Sequence, residues 1–282
     1  KYWGLGKLVQ AWNFYSLTYR LRHDYDAVFV HMNPIGVVVG TPWWHLFGKR
    51  IFLWYTSGGV TLKLRLATWF ADGIFTASKE SFRIPSNKVI VTGHGIDTDL
   101  FAPNPARKSS RFSILSVGRI APVKNYEVLV DAVKILTDEG FNFKVTVVGE
   151  PALKSDIEYY EKIKTKVCSL GLENIISFVG KKRDNDLVDQ YQSHDLFVHM
   201  SKTGSLDKTI LEAMACGIKV ISSNDASRAF LKPESIFNED DPRSMVKAIR
   251  LAANSTVSSN LRRYVVENHN LSDLINKISE RI

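Results

Sequence analysis

Two segments about ninety residues apart carry the residue types that hold a phosphate and a ribose. They are Ser116-Val117-Gly118-Arg119-Ile120-Ala121-Pro122-Val123-Lys124-Asn125 and Leu211-Glu212-Ala213-Met214-Ala215-Cys216-Gly217. The first reads as a strand end, a glycine turn and the mouth of a helix, where Arg119 and Lys124 can neutralise phosphate oxygens. Gly118 lets the backbone approach a ligand closely, and Pro122 stiffens the loop between the two cations. The second places Glu212 in a short helix of small and apolar residues. A carboxylate in such surroundings needs a partner, and ribose hydroxyls would supply one.

Other strand ends offer related groups. Gly149-Glu150 and Gly180-Lys181-Lys182-Arg183 put glycines at strand-to-helix turns, where backbone amides can meet a base or a phosphate. The run around Lys182 reads equally as a charged turn. His199 to Gly204 leads into the helix of Glu212, and free amides near Lys208, Thr209 and Ile210 would make a pyrophosphate seat. In Gly93-His94-Gly95-Ile96-Asp97-Thr98, Asp97 is expected to bind backbone in a tight turn rather than to catalyse. His31 and Ser57 end front-half strands, where a lone histidine is more often structural. There is no G-x-G-x-x-G opening a helix, no Walker P-loop, no H-E-x-x-H and no Asp-rich metal spacing. These gaps argue against a nicotinamide enzyme, a P-loop ATPase and a zinc hydrolase, and no metal or cofactor is expected.

The elements that must position these residues alternate between strand and helix, which implies parallel sheets with helical crossovers and an α/β fold. Front-half strands are expected at Asp26–His31, Ile51–Tyr55, Gly73–Ala77 and Lys88–Thr92, with a helix over Thr61–Ala71. A second series has strands at Phe112–Val117, Phe143–Val148, Ile175–Val179, Leu196–His199 and Lys219–Ser222. Its helices fall at Tyr126–Asp138, Ser155–Leu170, Asp184–Gln192 and Lys208–Ala215, and two or three more close the chain from Asp241. The proline-, serine- and base-rich run Phe101–Arg111 is the expected linker, giving domains 1–104 and 105–282. The second reads as a complete doubly wound domain and the first as an incomplete one, with ligands expected at the carboxyl ends of the strands.

The chain has 282 residues, 45% hydrophobic and 23% charged, with a net charge of +8. Residues 1–100 hold eleven Lys/Arg against six Asp/Glu, and all six tryptophans lie at or before Trp69. A basic, aromatic front half suits peripheral contact with an anionic membrane or an anionic acceptor. It also fits a tryptophan-rich core with a solvated rim. No nucleic-acid motif accompanies the charge, so no nucleic-acid partner is expected. Val37–Tyr55 is interrupted by Pro42, His45, Lys49 and Arg50 and does not read as a spanning helix. Two cysteines, Cys168 and Cys216, in apolar helical contexts give no disulfide or metal framework and fit a reducing, cytoplasmic setting. A chain that starts at Lys1 partway into a helical pattern is expected to be a fragment of something longer.

Taken together, these residues resemble the retaining glycosyltransferases of family 4, which have two Rossmann-like domains in the glycosyltransferase B architecture. The matching segments are Val91–Phe101 (VTGHGIDTDLF), Ser116–Asn125 and the Gly180 turn followed by DLVDQY. His194–Ser201 (HDLFVHMS) and Leu211–Ile221 (LEAMACGIKVI) complete the set. The resemblance implies hexosyl transfer, with retention, from a nucleoside-diphosphate sugar to a glycan, lipid-linked or small acceptor. It implies that Arg119 and Lys124 hold the diphosphate, Glu212 the ribose and the Thr209 and Ile210 amides the distal phosphate. Gly118, Gly149 and Lys182 join them as donor-binding positions. The chain departs from the family at Gly204, where a second Glu is usual and for which Asp207 is a candidate substitute. It also has Ser57 and its neighbours where some members carry a His, and the glycine-rich first loop of the front domain would lie before Lys1. Two other readings remain open: a catalytically inactive nucleotide-sugar-binding module, which these departures favour, and a sugar-nucleotide epimerase of related fold.

Overall fold

The computed structural model describes residues 6–104, 111–202, 206–255 and 259–282. The chain divides into two compact units, Lys1–Gly93 with Leu274–Ile282, and His94–Asp273. In the front unit, strands β1 (Ala27–His31), β2 (Arg50–Trp54), β3 (Gly73–Thr76) and β4 (Val89–Val91) form a parallel sheet in the order β1-β2-β3-β4. β2 from Ile51 onward and all of β3 are buried, as strands covered on both faces must be. Helices α1 (Lys7–Arg20), α2 (Pro34–Leu46) and α3 (Leu62–Phe70) supply one cover. Asn33 caps α2 by accepting from the Gly36 amide, with Pro34 in the first turn, and Thr61 caps α3 by accepting from the Leu64 amide. Their apolar sides meet the sheet through Val37, Trp44, Leu64 and Ala67 against Ile51, Leu53 and Ile74. Phe52, Trp54 and Phe75 point the other way and pack with Leu274, Ile278 and Ile282.

The rear unit holds a five-stranded parallel sheet in the order β7-β6-β5-β8-β9. The strands are β5 (Phe112–Val117), β6 (Phe143–Val148), β7 (Ile176–Phe178), β8 (Leu196–His199) and β9 (Lys219–Ser222). The helices are α4 (Tyr126–Asp138), α5 (Lys154–Ser169), α6 (Asp184–Gln192), α7 (Lys208–Ala215), α8 (Pro242–Ala253) and α9 (Ser259–His269). Alternate strand residues face opposite ways. Ile114, Val145, Leu196 and Val198 meet α4, α5 and α8, while Leu115, Val148, Phe197 and Val220 meet α6, α7 and α9. From β5 the chain winds outward through β6 and β7, then returns to place β8 on the other side. Such a reversal opens a crevice at the carboxyl edge of the sheet, between diverging crossovers.

The units divide at Gly93–His94 and not at the expected Phe101–Arg111 linker, of which residues 105–110 lie outside the described residues. The reason is packing. Ile96 is buried in the rear core and bridges to Asn270, and the Arg262 guanidinium donates to the carbonyls of Thr98 (3.0 Å) and Phe101 (2.8 Å). The closing helix α10 (Leu271–Ser279) begins in the rear unit, and from Leu274 onward the chain belongs to the front one. Asp97 accepts from the Asp99 and Leu100 amides and closes a turn, as its sequence context suggests. Cys168 is exposed on α5, against expectation, because it lies on the side of the helix away from Ile163 and Val167. Among the described residues no helix is long and apolar enough to cross a membrane.

Candidate functional site

All five rear strands run parallel, so the glycines and charges that follow them gather along one edge of the sheet. Gly118, Gly149 and Gly180 follow neighbouring strands and are stitched by their backbones. The Gly118 amide donates to the Val148 carbonyl (3.0 Å) and the Gly149 amide to the Gly180 carbonyl (3.0 Å). Gly149 has φ +152°, and a side chain there would place its Cβ 1.9 Å from the Gly118 carbonyl oxygen. Only glycine permits that approach. Beside this seam lies a cavity of about 260 Å³ lined by Gly118, Arg119, Gly149, Glu150, Lys181 and Lys182 among others. The half-exposed Arg119 borders it with Nε 3.6 Å from Asp156 Oδ2. Asp156 is itself buried at the start of α5, where it accepts from the Ala152 (3.3 Å) and Leu153 (3.1 Å) amides. Lys181 and Glu150 approach to 3.9 Å at the rim.

The other part of the edge is built from side chains. The loop after Gly118 closes with a single 3-10 turn, Pro122–Lys124, and Asn125 takes the left-handed conformation at φ +54°. Asn125 donates to the Glu239 carbonyl (2.6 Å), and the Lys202 amide donates to the Val123 carbonyl (3.0 Å), which pins the loop against the end of β8. Lys124 runs past Gly118, with its Cε 3.3 Å from where a Gly118 Cβ would stand, and its ammonium bonds Asp207 Oδ2. His199 Nε2 lies 3.2 Å from the same oxygen. Asp207 Oδ1 accepts from the Thr209 amide (3.1 Å) and hydroxyl (3.0 Å), capping α7. Burial alone would push the Asp207 carboxyl up, but His199 and Lys124 reverse that and hold it well below the usual carboxylate range. Burial lowers His199 against the pull of Asp207, and it stays neutral. An ionised carboxylate only accepts, so Nε2 carries the imidazole proton.

One turn further along α7, Glu212 is buried among apolar neighbours. Tyr191, from α6, donates to its Oε2 at 2.9 Å. Burial raises the Glu212 carboxyl to about 7, with Tyr191 and Lys208 pulling down and Asp207 pushing up.

Residues 97–272 match the family model of glycosyl transferases group 1. The chain belongs to that family. Curated relatives include mannosylfructose-phosphate synthase of Agrobacterium fabrum, 34% identical over 38% of this chain and 24% of that protein. Another is the putative colanic acid biosynthesis glycosyltransferase WcaL of Escherichia coli, 27% identical over 62% of this chain and 44% of that protein. The chain thus spans about a quarter to under half the length of these two relatives. Among solved structures, Anabaena Alr3699/HepE in complex with UDP and glucose superposes with a TM-score of 0.82 at 19% identity, covering 98% of this chain and 82% of that one. Sucrose-phosphate synthase from Thermosynechococcus elongatus gives 0.77 at 20% identity, covering 97% and 78%. At this identity the likeness shows the fold, that of glycosyltransferase B enzymes with Rossmann-like domains.

In this member of the group 1 family the expected site residues all lie on the rear sheet's carboxyl edge or on the helices that leave it. The structure joins Lys124 to the start of α7, and Asp207 acts electrostatically on Glu212. Arg119 belongs to the glycine-lined cavity and pairs with Asp156. One expectation changes. The Thr209 and Ile210 amides are not free, because the first donates to the Asp207 carboxylate and the second to the Asp207 carbonyl (3.2 Å). Gly204 lies outside the described residues. Tyr191, Asp156 and His199 are partners to which the sequence does not point, and Asp207 does more than replace a missing Glu. The Asp-x-Thr spacing ahead of an apolar helix is a readable capping signal. Tyr191 carried none, since its pairing with Glu212 depends on how α6 packs on α7.

Proposed function

We propose that the rear unit binds a nucleoside-diphosphate sugar and that the chain is part of a retaining, family 4 hexosyltransferase whose front unit serves the acceptor. The observation that carries this reading is the division of labour along one sheet edge: a backbone-lined cavity beside Arg119, then a cation, Lys124, held at the entry of α7, then a buried carboxylate, Glu212. A flat base fits the glycine seam with Lys182 at its rim, ribose hydroxyls would reach Glu212, and the diphosphate would lie between Arg119 and Lys124. Breaking the glycosidic bond leaves negative charge on the diphosphate. Two fixed cations in a partly desolvated crevice offset it, and losing one costs about 10²–10³ in rate. Relatives named for colanic acid and amylovoran biosynthesis support a glycan or lipid-linked acceptor.

Peripheral contact with an anionic membrane is supported by α3. Its outer side exposes Leu62 and Trp69, 73% and 72% accessible, together with Leu66, while Lys63 and Arg65 are also exposed. Sedimentation with anionic but not neutral vesicles is the expected behaviour, and equal binding to both would contradict it.

The direct test of the donor reading is a thermal-shift screen of UDP-, GDP- and ADP-sugars, followed by transfer from labelled donor. One nucleotide class should raise Tm and label an acceptor. No shift with any of them would overturn the reading. Shift without transfer would favour an inactive binding module. Conversion of the donor without acceptor would favour an epimerase.

A further inference from the structure

The donors that a phosphate would need at the entry of α7 are already satisfied from within. Asp207 lays one carboxylate oxygen against the Lys124 ammonium and His199 Nε2, and the other against the Thr209 amide and hydroxyl. A cation, a neutral imidazole N–H, a hydroxyl and a helix-entry amide converging on one anion is the environment a bound phosphate oxygen requires. The cluster is not sealed: the Lys124 and Asp207 side chains are 16% and 21% accessible, so an incoming anion can reach both. His199, at 2%, is fixed behind them.

We propose that Asp207 is an internal stand-in for the donor's phosphate, which must release Lys124 before a diphosphate can take it. This rests on the donor reading above and adds a specificity device to it. A ligand gains Lys124 only by outcompeting a carboxylate already in place. A multiply charged diphosphate can do so, whereas a singly charged anion meets repulsion with little net gain. Asp207 therefore lowers apparent affinity for every ligand that uses Lys124, in proportion to the time that Lys124 spends engaged. The carboxylate also keeps the capping acceptor of α7, so the helix entry is preformed in the unliganded protein.

The test is calorimetric titration of UDP, GDP and ADP onto the whole chain and three variants. Asp207→Asn removes the charge but keeps an oxygen that can cap α7. It should bind the preferred nucleoside diphosphate about tenfold more tightly than the wild type. Lys124→Ala should bind about tenfold or more weakly. In the double variant the gain from Asp207→Asn should vanish, because there is no Lys124 to release. Equal or weaker binding by Asp207→Asn, with Lys124→Ala still impaired, overturns the inference and leaves the donor reading standing. No nucleotide binding by the wild type or any variant overturns both. A structure of the wild-type chain saturated with the nucleotide gives an answer that needs no variant. Lys124 should contact phosphate and be parted from Asp207, and an intact Lys124–Asp207 bond beside bound nucleotide would refute the proposal.

Discussion

The two parts of the rear sheet's carboxyl edge are built on different principles. Across β7, β6 and β5 the edge is backbone: three glycines in hydrogen-bonded succession, a 260 Å³ cavity, and cations at the rim. Around β5, β8 and α7 it is side chain: Lys124, His199, Asp207 and Glu212, each already partnered. The first can accept a flat ligand with little rearrangement. The second must exchange internal contacts for external ones. Within it, two carboxylates, one capping α7 and one inside it, differ in charge state. Asp207 has a cation, an imidazole N–H and an amide and is held ionised, while Glu212 has one tyrosine hydroxyl in apolar surroundings and is raised to about 7. Partners, not residue type, set the difference.

The largest effect should come from breaking the backbone part. Gly149→Ala would drive a methyl group to 1.9 Å from the Gly118 carbonyl at a φ that alanine avoids. It should cost about 3 kcal/mol or more in chemical denaturation, with loss of nucleotide binding. The next tests the charge contrast. Because the Glu212 pKa is raised from 4.5 to about 7, its contribution to stability is full below pH 4.5 and is lost as pH rises through 7. Glu212→Gln should therefore be more stable than wild type at pH 8, by about 2–3 kcal/mol, and the difference should close by pH 4.5 while ribose recognition suffers. His94 has the opposite sign. Burial lowers it from 6.5 to about 4 against the Leu206 carbonyl, so its contribution is full above pH 6.5 and lost as pH falls toward 4. The two slopes oppose each other between pH 4.5 and 6.5, and Glu212→Gln should expose a steeper acid loss than wild type shows. A smaller effect belongs to the cap. Asp207→Ala should lose about 1–2 kcal/mol, and Asp207→Asn, which keeps a capping oxygen, less than that. The smallest separates binding from folding. Lys182→Ala at the cavity rim should leave stability within about 0.5 kcal/mol while weakening nucleotide binding.

Much of this arrangement was legible in residue order. Runs such as FSILSV and FKVTVV, short and rich in β-branched and aromatic residues, read as strands, and the glycines that follow β5, β6 and β7 located the edge. Glu212 stood out because small apolar residues surround it on α7. What was not legible depends on distant packing. The PNPARKSSR run reads as linker because it is polar and broken by proline, but composition does not reveal that Ile96 is buried against the rear helices. Nor does it show that Leu274, Ile278 and Ile282 pack on Phe52, Trp54 and Phe75. The free amides expected at Thr209 and Ile210 proved occupied, because Asp207, the residue just before α7, turns its carboxylate onto the first and its carbonyl onto the second.

If this edge binds a pyrophosphate-bearing nucleotide through Arg119, nucleoside-diphosphate affinity must fall on Arg119→Ala, read by calorimetry at neutral pH. Measurable binding of one nucleoside diphosphate by the wild-type chain and at least about a tenfold loss in the variant are expected, with the fold intact by circular dichroism. Binding that is unchanged by the substitution would contradict it.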